Sequence, residues 1–127
     1  MNKQIVHYID NKAIKGKELG FHTVDIDAQL TIESWRFSLF SFEWLTPEGN
    51  IRETNMLPEK EQEQYQNIML NLAKQNALER PVLGIGIMEN IEIGSRRDVF
   101  LSLSKYGIKK ISVHIPARNL KEFTPYL

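Results

Sequence analysis

A short loop with two arginines lies where the sequence predicts a strand to end and a helix to begin. It comprises Gly94, Ser95, Arg96 and Arg97, and it follows the stretch Ile-Glu-Ile at residues 91–93. The first N–H groups of a helix have no intrahelical acceptor and lie at the positive end of the helix dipole, so a helix start suits anions. Because two guanidinium groups add to this charge, we predict that the loop binds a phosphate group or a similar anion.

Glu92 and the two arginines allow two interpretations of this loop. Glu92 lies two residues before Gly94 and therefore faces the same side of the strand, which makes it the candidate acid or metal-binding partner of a bound nucleotide. In the alternative, the two arginines pair with Asp98, with Glu92 or with acidic residues of the first half of the chain. Gly94 is then present only for the backbone geometry that it allows. The residue types alone support both interpretations.

Helical and extended patterns alternate around the loop. Residues 82–87 are apolar without alternation and predict a central strand, which a hairpin joins to residues 91–93. Pro58 opens one helix, and the 94–97 loop opens a second helix that ends at Gly107. The predicted buried faces are Tyr65, Ile68, Met69, Leu72 and Ala73 in the first helix and Val99, Phe100, Leu103 and Tyr106 in the second.

The remaining elements complete the predicted fold. Residues 22–26 predict an edge strand and residues 108–115 the last strand, while Ser95 and Asp98 are expected to cap the second helix. The order of the elements predicts an α+β fold, with one domain over the whole chain, a mixed sheet and two main helices. Residues 5–9 predict a short strand or a helix turn, and residues 11–20 show little periodicity, so we expect a weakly ordered start over residues 1–20.

An aromatic stretch in the first half predicts a hairpin. Residues 36–45 are rich in Phe and Trp, a composition typical of strands. Residues 46–50 carry Pro and Gly in the order of a turn, and residues 51–54 predict the returning strand. We expect the rings to pack in the core. The alternative is a platform on which nucleic-acid bases stack, but few basic residues lie between the rings.

Composition restricts the class of protein. The chain of 127 residues has no cysteine, which excludes disulfides, thiolate metal sites and cysteine nucleophiles. No apolar run is long enough to span a bilayer, so we expect no membrane association and a cytoplasmic location. Lys and Arg balance Asp and Glu at 16 each, but residues 1–79 hold 8 basic and 12 acidic side chains while residues 80–127 hold 8 and 4. A neutral chain makes direct DNA binding the less favoured function.

Other polar residues form no second motif. His7, His22 and His114 are widely separated, so their spacing predicts neither a metal trio nor a catalytic triad. Asp25 and Asp27 form a D-x-D pair that suggests carboxylates at the end of a surface strand, because no further acidic ligand follows at the spacing of a calcium loop. No metal site is predicted.

Four parts of the second half share the pattern of one family. They are the stretch LNLAKQNALERPVL at residues 70–83, the stretch IEIGSRR at residues 91–97, the glycine at Gly107 and the strand at residues 111–113. Together they resemble the ParB/sulfiredoxin superfamily, and the match covers about residues 60–115.

This resemblance implies a nucleotide-binding fold. Gly94, Ser95, Arg96 and Arg97 would then hold the phosphates of ATP or CTP, with magnesium as the accompanying ion. Ser95 stands where members of the family carry Glu or the reactive Cys, which excludes the cysteine-dependent reductase chemistry of some of them.

Two classes of function follow. The first is a stand-alone ParB/sulfiredoxin-like domain that binds a nucleotide or another phosphate anion, and the sequence leaves open whether it is an enzyme. The second is a non-enzymatic interaction protein of prokaryotic or mobile-element type, such as an immunity protein or an inhibitor of a nuclease or defence system. Small size, unevenly spread charge and the lack of a clear catalytic set motivate the second class, since an acidic half suits a basic partner.

Overall fold

A mixed β-sheet packed with helices forms the domain. The computed structural model describes residues 4–127. The strands are β1 (Tyr8–Ile9), β2 (Phe21–Asp27), β3 (Leu78–Glu79), β4 (Val82–Ile85), β5 (Ile91–Ser95) and β6 (Lys110–Pro116), and the α-helices are α1 (Ala28–Trp35), α2 (Glu59–Ala73), α3 (Arg97–Tyr106) and α4 (Leu120–Phe123).

The main sheet has the strand order β2-β6-β4-β5. β6 pairs with β2 in the antiparallel direction and with β4 in the parallel direction, while β4 and β5 form an antiparallel hairpin. β1 and β3 form a separate parallel pair. The predictions of a single α+β domain with a mixed sheet, of a central strand at β4 and of an edge strand at β2 are therefore confirmed.

β6 is buried from Ile111 to Ile115. Side chains alternate along a strand, so the three apolar residues of this run share one face while Ser112 and His114 lie on the other. Ile26 on β2 lies directly opposite Ile111, and its side chain joins the same apolar face. The apolar face belongs to the hydrophobic core, which includes the fully buried Phe100 of α3.

The two main helices are confirmed, with one correction at the end of each. Ile68 and Leu72 of α2 are buried as predicted, and Gly107 ends α3 with φ of 113°, a value that suits glycine. Ala73 and Tyr106 were expected in the buried faces but are exposed, because each is the last residue of its helix. Within residues 4–127, no helix combines the length and the apolar character that crossing a bilayer requires.

The predicted aromatic hairpin is wrong. Helix α1 occupies residues 28–35, where no helix was predicted, and its first turn is capped by the Asp27 carboxylate, which accepts from the Leu30 N–H at 2.9 Å. Residues 36–45 that follow form turns and one short 3-10 turn instead of a strand. Of the hairpin only the turn and a single bridge between Leu45 and Ile51 are present.

The N-terminal segment is attached to the sheet through Asn11. Residues 1–20 were expected to be weakly ordered, and the first three of them lie outside the described residues. Asn11 is buried; its N–H donates to His114 Nε2 at 3.1 Å, and its amide donates to the Arg80 carbonyl at 2.9 Å and to Ser95 Oγ at 3.0 Å. Ile14 of the same segment is buried in a short 3-10 turn.

His114 occupies the centre of this attachment in its neutral form. Because the Asn11 N–H donates to Nε2, the ring proton lies on Nδ1, which is 3.1 Å from Thr23 Oγ1. Burial lowers the pKa of His114, and the nearby Asp10 carboxylate opposes this shift only in part.

We expect the free energy of unfolding to fall as the pH is lowered from 7.5 through about 6.5, the ordinary pKa of histidine. In that range the unfolded chain takes up a proton that the folded chain resists, since the pKa of folded His114 is depressed. Urea denaturation at several pH values measures the effect.

In a His114→Phe variant, the free energy of unfolding should no longer fall over this pH range. The substitution should also cost about 1–3 kcal/mol at pH 7.5, because the buried Asn11 N–H loses its acceptor. The matched control is His22→Gln, at an exposed position of β2, which should keep the fall. If the free energy of unfolding of His114→Phe fell with pH as much as that of the wild type, the titration would belong to another group.

Candidate functional site

Arg96 is held by two carboxylates at the start of α3. Its Nη1 lies 2.8 Å from Glu79 Oε1, and its Nε and Nη2 make a two-pronged contact with Asp98 at 3.1 and 3.0 Å. Arg96 has left-handed backbone angles, φ 55° and ψ 46°, and is the N-cap of α3 without a side-chain cap. A non-glycine residue rarely adopts this conformation, so the ion pairs offset a local cost of order 1 kcal/mol.

The predicted cap of α3 is therefore wrong. The Asp98 carboxylate turns to the Arg96 guanidinium, and Ser95 Oγ accepts from the Asn11 amide at 3.0 Å. Neither side chain bonds to the first N–H groups of the helix. For the Asp98 carboxylate the Arg96 guanidinium is a better partner than the helix end. For the Ser95 hydroxyl the buried Asn11 amide is the better partner.

The electrostatics of Glu79 and Arg96 match this arrangement. The Lys12 backbone N–H, 3.0 Å from Glu79 Oε2, and the Arg96 guanidinium hold the pKa of Glu79 below its usual range. Asp98 first, and Glu79 second, raise the pKa of Arg96. The charge of Arg96 is thus satisfied within the protein, as the second interpretation of the loop expects.

Gly94 and Glu92 do not join Arg96. A Cβ at Gly94 would lie 3.5 Å from the Val82 carbonyl oxygen, an ordinary contact, so no close approach requires glycine there. Glu92 turns to the hairpin between β4 and β5, where its Oε2 accepts from Asn90 Nδ2 at 3.1 Å. The five predicted ligand residues are neighbours in the chain, but the side chains of the four besides Gly94 have different partners.

Arg97 points away from Arg96, against two aromatic rings. Its Cζ lies 4.9 Å from the centre of the Phe40 ring and 5.8 Å from that of Trp35. Nε of Arg97 is buried and has no acceptor among the described residues. Such cation–π contacts contribute about 0.5–2 kcal/mol each, and they connect the predicted anion loop to the first half of the chain.

Residues 36–42, which we call the aromatic turn, have the reverse of the usual polarity. Four large apolar side chains are exposed, while Ser38 and Ser41 are buried at 6% and 8% exposure. The exposed fractions are 67% for Phe37, 87% for Leu39, 55% for Phe40 and 66% for Phe42. The prediction that the aromatic rings of residues 36–45 pack in the core is wrong for these phenylalanines and confirmed for Trp44, which is 2% exposed.

Hydrogen bonds of the two serines explain why the aromatic turn adopts this form. Ser41 Oγ donates to the Arg36 and Ser38 carbonyls, both at 3.0 Å, and Ser38 Oγ accepts from the Phe40 N–H at 3.1 Å. Trp35 and Trp44, one on each side of the turn, are buried in the core. The serines satisfy the backbone and the tryptophans anchor the ends, so the phenylalanines face solvent.

A groove of about 300 Å³, which we call the aromatic groove, opens beside this turn. Its lining includes Arg36, Phe37, Phe42, Pro47 and Arg52, and no Asp or Glu. The Arg52 Nε donates to the Phe42 carbonyl at 3.1 Å, and Arg36 Nη2 lies 3.5 Å from the Pro47 carbonyl. Among the described residues, no carboxylate lies within 4 Å of either guanidinium.

One signal in the sequence predicts this geometry but was missed. Asp27 is followed by apolar or small residues at helical spacing, namely Ala28, Thr31, Ile32 and Trp35. An N-cap residue followed by this i, i+3, i+4, i+7 pattern is typical of an amphipathic helix. A helix there would have placed Phe37 to Phe42 after a helix end, where a continuous strand is not expected.

A metal centre finds no support in the described part of the chain. Residues 4–127 contain no group of three His, Asp or Glu side chains that could hold an ion. Asp27 caps α1 and Asp25 is an exposed residue of β2, as carboxylates at the end of a surface strand are expected to be.

Comparisons with protein-family models, with curated proteins and with solved structures gave no match. The resemblance of residues 60–115 to the ParB/sulfiredoxin superfamily therefore stays a prediction. The same is true of ATP or CTP with magnesium as the ligand of residues 94–97.

We expect Arg96→Ala to lower the free energy of unfolding by about 1–3 kcal/mol, because it leaves Glu79 and Asp98 without their partner. Urea denaturation measures this, with the exposed Arg118→Ala as the control. Calorimetry with ATP and CTP in the presence of magnesium tests the ligand on the same variants. Unchanged stability together with a lost heat of nucleotide binding would assign Arg96 to a phosphate site instead.

Proposed function

We propose that this protein is a non-enzymatic interaction protein that binds a protein partner through the aromatic turn. The observation that carries the proposal is the inverted polarity of residues 36–42, with serines inside and phenylalanines outside. The class is the second one that the sequence suggests, a small protein that acts by occupying a partner, such as an inhibitor or an immunity protein.

The size of the exposed surface supports this proposal. At roughly 200 Å² for each side chain, the exposed fractions of Phe37, Phe40 and Phe42 amount to about 400 Å² of apolar area. This is at the scale of the largest patches on monomeric proteins, which often mark interaction sites. It is also about half of what one partner buries in an interface of ordinary size, near 800 Å².

The attachment of the turn supports a binding role as well. The serine hydrogen bonds and the buried tryptophans hold the backbone of the aromatic turn in place before a partner arrives. A surface that is already ordered loses little conformational entropy on binding, which favours affinity. Aromatic residues and arginine are also the residue types enriched at the centres of interfaces.

The arrangement of the polar residues favours binding over catalysis. Both ring nitrogens of His114 are engaged inside the protein, and Arg96 is engaged by Glu79 and Asp98. A general base needs access to the proton that it abstracts, and the buried His114 lacks that access. The surface with free guanidinium groups and exposed rings is a better candidate for the active part of the molecule.

We expect Phe37→Ser/Phe42→Ser to fold with a free energy of unfolding within about 0.5 kcal/mol of the wild type, because both rings are largely exposed. The variant should lose its protein partner. Affinity capture from cells that express the protein naturally, followed by mass spectrometry, compares the two baits.

The matched control is Leu19→Ser/Leu70→Ser, which removes two exposed apolar side chains elsewhere, at 101% and 52% exposure. The control should retain each partner that the wild type captures. A partner kept by Phe37→Ser/Phe42→Ser, or lost equally in the control, would mean that the aromatic turn is not the binding surface.

A further inference from the structure

Five of the six arginines fall into two groups with different surroundings. Arg80 and Arg96 pair with carboxylates at 2.8 Å. Arg36 is the first residue of the aromatic turn, and Arg52 and Arg97 lie against it. None of the three has a carboxylate within 4 Å among the described residues. A guanidinium carries five N–H donors, so these three groups have donors to spare.

Two of these arginines line the aromatic groove together with Phe37 and Phe42. The Arg36 guanidinium lies 5.8 Å from the centre of the Phe37 ring. It is held over the turn at Gly49, where a Cβ would lie only 3.0 Å from Arg36 Cζ. Arg52 donates to the Phe42 carbonyl through Nε alone. Both guanidinium groups are therefore positioned by the fold, and neither is neutralised.

We infer that the aromatic groove takes an acidic segment of the partner protein, in which Asp or Glu side chains lie next to an apolar side chain. The inference rests on the proposed function and names the chemistry of the partner at this groove, which is acidic, in contrast to the basic partner that the acidic first half of the chain suggests. The carboxylate would bind Arg36 and Arg52, which suit its planar shape. The apolar side chain would lie between Phe37 and Phe42, in a groove without Asp or Glu.

The surroundings of the groove favour a short acidic segment over a nucleic acid. On the far side of Arg36, a second groove is lined by Glu33 and Glu48. A third groove, next to Arg97, is lined by three carboxylates and by one further cation, namely Glu43, Glu61, Asp98 and Lys60. A polyanion that continued beyond the aromatic groove would meet these carboxylates, whereas nucleic-acid binding needs cations along the path of the backbone.

Fluorescence anisotropy with labelled dodecapeptides tests the inference. The first peptide carries two Phe and four Glu among Gly and Ser; the second has Gln, and the third Lys, in place of each Glu. We expect the Glu peptide to bind about tenfold more tightly than the Gln peptide, and the Lys peptide to bind most weakly. Raising the salt concentration should weaken the Glu peptide selectively, because exposed charges are screened.

Two variants assign the selectivity to the groove. Arg36→Met/Arg52→Met keeps the apolar stems of both side chains and should reduce the preference for Glu over Gln to near unity. Lys15→Met/Lys17→Met removes two exposed cations from another loop and should leave the preference unchanged.

The outcomes separate this inference from the proposed function. Equal binding of the Glu and Gln peptides, or no peptide binding, overturns the inference. If Phe37→Ser/Phe42→Ser still loses its captured partner in that case, the proposed binding surface is supported, but its preference for an acidic segment is not. Tight binding of a labelled oligothymidylate that requires Arg36 and Arg52 overturns the inference in favour of a nucleic acid. A dimer that sedimentation equilibrium detects for the wild type but not for Phe37→Ser/Phe42→Ser overturns it in favour of a second copy.

Discussion

The hydrogen bonds of Asn11 join parts of the chain that the rest of the fold needs together. One buried residue bonds to His114 of β6, to Arg80 before β4 and to Ser95 at the end of β5. Buried polar groups are costly unless they are paired, so the N-terminal segment must lie where all of these partners are available. That position places the Lys12 N–H against Glu79, which in turn pairs with Arg96.

This constraint divides the arginines by role. Arg96 is part of the structure that holds the N-terminal segment, although its place at a helix start suggests a ligand. Arg36, Arg52 and Arg97 instead lie next to exposed aromatic rings. This surface differs from a phosphate-binding loop, in which backbone N–H groups face the anion. Among the described residues, these three arginines combine a neighbouring exposed ring with the lack of a carboxylate within 4 Å, which is why we propose the aromatic turn as the binding surface.

Much of the second half of the fold follows from the sequence, while a central part of the first half does not. The spacing of Ile68 and Leu72 and the glycine at Gly107 identify α2 and α3, because helix period and helix termination are local properties. The strand predicted over residues 36–45 is wrong because aromatic content favours a strand only if the rings have a surface to pack on. In this protein the interior positions of residues 36–42 go to Ser38 and Ser41. The strand–helix junction at residues 94–97 is predicted in the right place. The neighbouring sequence does not reveal that Glu79 of β3 pairs with Arg96.

The sequence by itself determined the α+β class, the two main helices, the central strand and the strand–helix junction at residues 94–97. These depend on periodicity, glycine positions and turn residues, which act over a few neighbours. Only the tertiary structure decided which guanidinium groups are neutralised and which rings are exposed. Ion pairing and burial depend on distances between residues far apart in the chain, such as Arg96 and Glu79 or Arg97 and Phe40, and the packing of the whole domain sets those distances.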